Sequence, residues 1–185
     1  MTNNIVKPAD KKIIALIGMM GTGKTTIGSK LSEKLNVYFI DSDQEIEDSE
    51  QRTIANIFDA EGEEKFREIE RKIVQDIMRR DEPMVLSLGG GAFIDPETRK
   101  LIKDGAVSIW LYSDVETILH RVAGKNTRPL LNGGDRRIIL SNLIKDRYPI
   151  YEQSDIKIDT TKDSHDNILN GIIQQISELV GKKNE

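Results

Sequence analysis

Cysteine is absent from the 185 residues. That excludes a disulfide framework and a thiolate zinc site, and it makes a cytoplasmic location the default reading. Histidine occurs only twice, and neither His120 nor His165 has a partner at ligand spacing, so a histidine metal centre is not expected. No apolar run approaches the roughly 20 residues that a membrane span needs. Met1 to Lys12, "MTNNIVKPADKK", lacks the apolar core of a secretory signal and reads as a disordered extension, 1–12, of a single domain covering 1–185. An excess of positive charge is also missing. The net charge of −4 argues against nucleic-acid binding, though local arginines can still attract small anions. Internal repeats, low-complexity segments and long linkers are lacking too.

What is present is alternation. Short apolar runs at Ile13–Ile17, Val37–Ile40, Met84–Leu88, Val107–Leu111 and Ile156–Ile158 read as strands, buried on both faces where the run is continuous. Helical spacing lies between them: Ile27, Leu31 and Leu35; then Phe66, Ile69, Ile73 and Ile77; then Ile168, Ile172, Ile176 and Leu179, with Ser164 as N-cap. Trp110 falls in a strand and reads as core. Such alternation implies an α/β fold, a mostly parallel sheet with helices on both faces and ligands at the carboxyl ends of the strands.

Directly after the first strand and before the first helix stands "GMMGTGKT", Gly18 to Thr25, which fits G-x-x-x-x-G-K-[ST]. In that pattern glycines let backbone N–H groups converge on phosphate oxygens at a helix N-terminus. Lys24 would reach the β- and γ-phosphates and the Thr25 hydroxyl would ligate Mg²⁺. The chain therefore reads as binding a nucleoside triphosphate through Gly21, Thr22, Gly23, Lys24, Thr25 and Thr26. Asp114, after "VSIWLYS", is a poor candidate for organising the metal, because Ser113 with Glu116 forms a capping box for the next helix. Asp41 and Asp43 in "DSD" are better placed. On an extended segment they point the same way, although capping acids at a helix start satisfy the pattern equally.

Three further stretches carry chemistry. "GEEKFREIERK", Gly62 to Lys72, is a charged helix with Glu63 and Arg67 at i, i+4. "RVAGKNTRPLL" places Arg121, Lys125 and Arg128 around a glycine- and proline-containing connection, the composition of a closing lid. Arg147 precedes "YPIY", where Pro149 is expected to end a helix. The third strand exits into "LGGGAF". Three consecutive glycines are costly in regular structure; they fall at the carboxyl end of a strand, where ligands gather, and a flexible bend is the bland alternative to a bare backbone whose N–H groups open to a ligand.

In this order, "GMMGTGKTTIG", "DSD", "IFDAEGEEKFREIE", "LGGGAF", "TRPLL" and "RYPIY" resemble the shikimate kinases from about Ile13 to Thr160. The resemblance implies a three-layer P-loop kinase of the nucleoside-monophosphate-kinase type with a central five-stranded parallel sheet. It implies a substrate-binding region at 41–69, a lid at 123–135, and transfer of the ATP γ-phosphoryl group to the 3-hydroxyl of shikimate. By resemblance Asp43 binds that hydroxyl and acts as base, while Asp41 holds Mg²⁺ through water. Arg67 and Arg147, with Gly89, Gly90 and Gly91, bind the carboxylate, and Phe66 packs beside the ring. Arg128 contacts the phosphates, completing a catalytic set with Lys24 and Asp43, and Arg121 stacks on adenine. A monomer is expected. Two departures stand out: the family's Y-x-x-x-A pattern after the last arginine reads Tyr151-Glu-Gln-Ser154 here, and "DTTKDS" lacks the proline often near the adenine. The rival readings are a kinase of gluconate or quinate, and an ATP-binding regulatory module without catalysis.

Overall fold

The computed structural model describes residues 11–80, 82–123 and 135–181. Arg128 and most of the expected lid, 124–134, lie outside the described residues, as does 1–10 of the expected extension. Lys11 and Lys12 do not belong to that extension. The Lys11 ammonium donates to the carbonyls of Lys103 (2.5 Å) and Ala106 (2.9 Å), and the Lys12 carbonyl accepts from Met84 N–H at 3.2 Å.

Five strands form one parallel sheet: β1 (Ile13–Ile17), β2 (Tyr38–Asp41), β3 (Met84–Ser87), β4 (Ala106–Tyr112) and β5 (Ile156–Asp159), in the order β2-β3-β1-β4-β5. Every residue of β1 and β3 is buried, whereas the edge strand β5 alternates buried and exposed. The pleat sorts side chains by period two. Ile13, Ala15 and Ile17 join one core with Val74, Ile102, Ile118 and Leu140; Ile14 and Leu16 join the opposite core with Ile27, Leu31, Ile168 and Ile172. The first core therefore lies under α3 (Ile54–Met78), α4 (Pro96–Gly105), α5 (Val115–Val122) and α6 (Arg136–Tyr151), the second under α1 (Lys24–Leu35) and α7 (His165–Gly181). Those are the three layers expected. A smaller cluster, Ile46, Ile57, Phe66 and Ile69, joins α2 (Ser42–Glu50) to α3.

Local chemistry departs from expectation at three points. Helix α3 begins well before Gly62 and breaks there (φ 82°, ψ 177°), so "GEEKFREIERK" is the start of its second segment. Pro149 does not end α6, which runs two residues further. The donor that proline lacks is one bond, and the turn is still closed by Glu152 N–H to Tyr148 O at 2.9 Å and Gln153 N–H to Ile150 O at 3.1 Å. Ser113 is not the cap of α5. Asp114 is, accepting from Thr117 N–H at 2.7 Å, while the buried Ser113 hydroxyl pairs with Thr160 Oγ1 at 2.7 Å. Ser164 does cap α7, its hydroxyl accepting from Asn167 N–H at 3.3 Å. Trp110 is core, packed against Tyr112 and Tyr148 at 5.4 and 4.9 Å between ring centroids.

Candidate active site

Because β1 and β3 are hydrogen-bonded neighbours, the loop after each emerges at the same place. A cleft of about 1180 Å³ opens there. On its β1 side, Gly23 (φ 89°) turns the chain into α1, a conformation glycine adopts without a Cβ penalty. Gly21, Gly23, Lys24, Thr25 and Thr26 line the cleft. Thr22 does not; it is 2% exposed and its hydroxyl donates to Met19 O at 2.9 Å, stitching the loop to itself. The Lys24 ammonium donates to the loop carbonyls of Gly18 (2.9 Å) and Met19 (3.0 Å).

Asp41, the last residue of β2, and Asp43 do not share an extended segment as expected, because α2 begins at Ser42. Asp41 caps that helix, its Oδ1 accepting from Asp43 N–H at 3.1 Å, and its Oδ2 accepts from the Thr25 hydroxyl at 2.8 Å. Asp43 sits in the first turn and faces the glycines. Capping and a place in the cleft are therefore both true of this pair.

The triple glycine connects β3 to the short 3₁₀ turn Ala92–Ile94. None of the three has a positive φ, so left-handed freedom is not what selects glycine. Close approach does. A Cβ on Gly89 would stand 2.4 Å from Asp43 Oδ1 and 2.8 Å from Glu70 Oε1; on Gly91, 2.2 Å from Arg67 Nη1; on Gly90, 3.4 Å from Arg147 Nη1. Side chains of α2, α3 and α6 thus lie directly on bare backbone. The expectation that all three glycines open their N–H groups to a ligand needs revision, since Gly89 N–H donates to the buried Ser42 hydroxyl at 2.9 Å. The Gly90 carbonyl accepts from the Tyr151 hydroxyl and, at 3.3 Å, from Arg147 Nη1.

Arg67 donates to Glu70 Oε2 at 2.7 Å and to Glu63 Oε1 at 3.0 Å, with its guanidinium 5.1 Å from the centre of the Phe66 ring. Arg147 is 8% exposed. Glu70 was not singled out from sequence, yet it is 2% exposed at the heart of the site. One signal could have found it: Phe66, Glu70, Ile73 and Ile77 follow helical spacing, so a carboxylate interrupts the apolar stripe. Burial pushes Glu70 up from its ordinary carboxyl value, the charge of Asp43 adds to this, and Arg67 opposes it. For Arg67, burial is the largest influence and lowers its value, but Glu70 and Glu63 together outweigh it and hold the guanidinium more firmly protonated. With the two groups 2.7 Å apart, the ionised pair is the arrangement the geometry favours.

At the far end of the P-loop, Arg121 lines the cleft and is fixed in orientation. Its Nη2 donates to Thr160 O at 2.7 Å and its Nη1 to Ser113 Oγ at 3.2 Å. Chemically, the cleft sets a phosphate loop on one wall against two cations and two acids on the other. Among the described residues no group of three or more His, Asp or Glu could hold a metal ion unaided, and no helix is long and apolar enough to cross a membrane.

Residues 20–177 match the model of a family described as shikimate kinase. A shikimate kinase of Bartonella henselae is 35% identical over 178 residues, 96% of this chain and 84% of that protein. The solved structure of a shikimate kinase from Acinetobacter baumannii in complex with shikimate is similar at a TM-score of 0.86 and 36% identity, over 90% of this chain and 93% of that one. A gluconokinase from Sinorhizobium meliloti shares the fold alone, with 17% identity and a TM-score of 0.59 over 92% and 94% of the two chains.

Proposed function

The chain belongs to the shikimate kinase family and is an ATP-dependent phosphotransferase acting on shikimate, and from that premise we propose how its own residues divide the work. Asp43 receives the 3-hydroxyl of shikimate and takes its proton as the oxygen attacks the γ-phosphorus and the bond to the β–γ bridging oxygen breaks, leaving ADP. Arg67 and Arg147 hold the carboxylate as charge-assisted pairs, with Phe66 beside the ring and the backbone at Gly90 and Gly91 completing the pocket. Lys24 exchanges the carbonyls of Gly18 and Met19 for phosphate oxygens, joined by Arg128 from the 123–135 lid. Arg121, already anchored by Thr160 and Ser113, offers a fixed plane on which adenine stacks.

Phosphoryl transfer asks little covalent chemistry of a protein; alignment and charge neutralisation dominate. The walls of the cleft are built for both. The observation that carries the reading is the packing of Asp43, Arg67 and Arg147 onto the glycine turn, one strand away from the P-loop.

The residues also fit a magnesium ion. Mg²⁺ prefers one or two oxygen ligands from protein, with water and substrate phosphates for the rest. The Thr25 hydroxyl and Asp41 carboxylate, 2.8 Å apart at the mouth of the P-loop, are such a pair. Thr25 would bind it directly and Asp41 through water. When bound, the ion neutralises charge on the β- and γ-phosphate oxygens. We read the working unit as a cytoplasmic monomer with 41–69 as its substrate-binding region.

The test is acceptor-dependent ADP release with shikimate, quinate and gluconate. Shikimate should give the highest kcat/KM, and Arg67→Ala should lower it by about 2–4 kcal/mol, roughly 30- to 1,000-fold. Unchanged shikimate turnover in that variant removes Arg67 from the site.

A further inference from the structure

Tyr151 is outside the cleft, yet it touches the cleft's floor. It is fully buried in the last turn of α6, and its hydroxyl donates to the carbonyl of Gly90. Arg147, one turn earlier, donates to the same oxygen at 3.3 Å. A carbonyl has two lone pairs, so this pair of donors saturates it.

The peptide so held joins two glycines. Rotating a peptide plane requires concerted change in ψ of one residue and φ of the next, and it meets least resistance between glycines, which enter positive φ freely. In a trans planar unit the C=O and the following N–H point in opposite directions, and no peptide bond among the described residues is cis. Fixing the Gly90 carbonyl on the buried side therefore fixes the Gly91 N–H on the other side, where Gly91 lines the cleft beneath the Arg67 guanidinium. A flipped plane would present a carbonyl oxygen to an incoming carboxylate.

We propose that Tyr151 is a positioning residue that locks the Gly90–Gly91 peptide with its N–H facing the acceptor carboxylate. The proposal rests on the reading that Arg67, Arg147 and the glycine turn bind shikimate. Two features set the lock apart from ordinary packing. The tyrosine ring already packs against Trp110 and Tyr148, at 5.9 and 6.1 Å between centroids, so phenylalanine would serve if packing were all that mattered. The hydroxyl is also a permanent donor, because burial pushes its pKa up to about 12 despite the opposing charge of Arg147.

Tyr151→Phe should raise the KM for shikimate about three- to tenfold, the effect of losing one of the two hydrogen bonds to the Gly90 carbonyl. Its kcat and its KM for ATP should stay at native values. Tyr148→Phe is the control, since it deletes the same group from the same aromatic cluster, where the hydroxyl donates to Ser113 O; its shikimate KM should not move. A native shikimate KM in Tyr151→Phe overturns the proposal, as does an equal rise in both variants. In the unmutated, ¹⁵N-labelled chain the Gly91 amide proton should shift downfield on adding shikimate, and no shift overturns the proposal even if Tyr151→Phe fails to fold. Arg67→Ala separates the two levels. A native shikimate KM there sinks the underlying reading, whereas a large rise there beside a native KM in Tyr151→Phe sinks the positioning role alone.

Discussion

Replacing Gly91 with alanine places a methyl group where the Arg67 guanidinium lies. The new carbon would stand 2.2 Å from Nη1 and 2.6 Å from Cζ and Nη2, whereas heavy atoms settle at about 3.5 Å or more. Something must move by about 1 Å. The backbone has no reason to, since Gly91 has φ −96° and ψ −20°, a right-handed conformation open to alanine. The yielding group is the end of the Arg67 side chain, and its displacement disrupts the contacts with Glu70 at 2.7 Å and Glu63 at 3.0 Å. Misplacing a positioning group by about 1 Å costs on the order of a hundredfold in rate. Gly91→Ala should therefore lower kcat/KM for shikimate by about 100-fold, with the KM for ATP near native and the thermal midpoint lowered as the buried Glu70 loses its partner. Gly90→Ala supplies the scale, because its nearest neighbours stand at 3.4 and 3.5 Å and its loss should be markedly smaller. The assay is steady-state ADP release at varied shikimate and saturating ATP, run beside thermal unfolding. A Gly91→Ala enzyme within about threefold of native kcat/KM would refute the argument that close approach selects glycine here.

Glu70→Gln tests the buried carboxylate through pH. Burial raises the folded-state pKa of Glu70 above its ordinary value, so the folded state holds the proton more tightly than the unfolded one. Its contribution is nil below about pH 4, where both states are protonated, and becomes an increasing cost as pH climbs to the raised value. The midpoint of Glu70→Gln relative to native should accordingly be higher at pH 7 than at pH 4, and a pH-independent difference would contradict the assignment. Asp41→Asn keeps a good helix cap but removes a charge. It should raise the Mg²⁺ concentration for half-maximal activity about tenfold, as loss of an outer-sphere partner does, and superimposable activation curves would take Asp41 out of the metal's surroundings.

Much of this was legible in the chain because its information was local. The runs of β1, β3 and β4 are apolar on both faces, and the P-loop announces itself through lysine, threonine and the elements flanking them. The limits appear where a residue's role depends on what docks against it. Glu70 lies in a charged segment whose other acids are solvated, and only the docking of α3 against the glycine turn buries it. Asp114 rather than Ser113 caps α5 because Thr160, arriving from β5, claims the serine hydroxyl. The triple glycine stands out in the sequence, but the reason for it lies in side chains from α2, α3 and α6 that no local pattern brings together. The residue before a proline is disfavoured in the helical region, which points to a terminus before Pro149, yet α6 carries the proline in its last turn and runs on to Tyr151.

The neighbouring positions of β1 and β3 have a consequence for divergence. On the proposed reading, the nucleotide half of the reaction hangs from one strand and the acceptor half from the next, at a separation set by main-chain pairing of roughly 4.8 Å and not by any side chain. Residues around the acceptor can be exchanged wholesale while the distance across which phosphorus travels stays the same. Selection can thus retune which alcohol is accepted without relearning the transfer, as a frame that outlasts its furnishings.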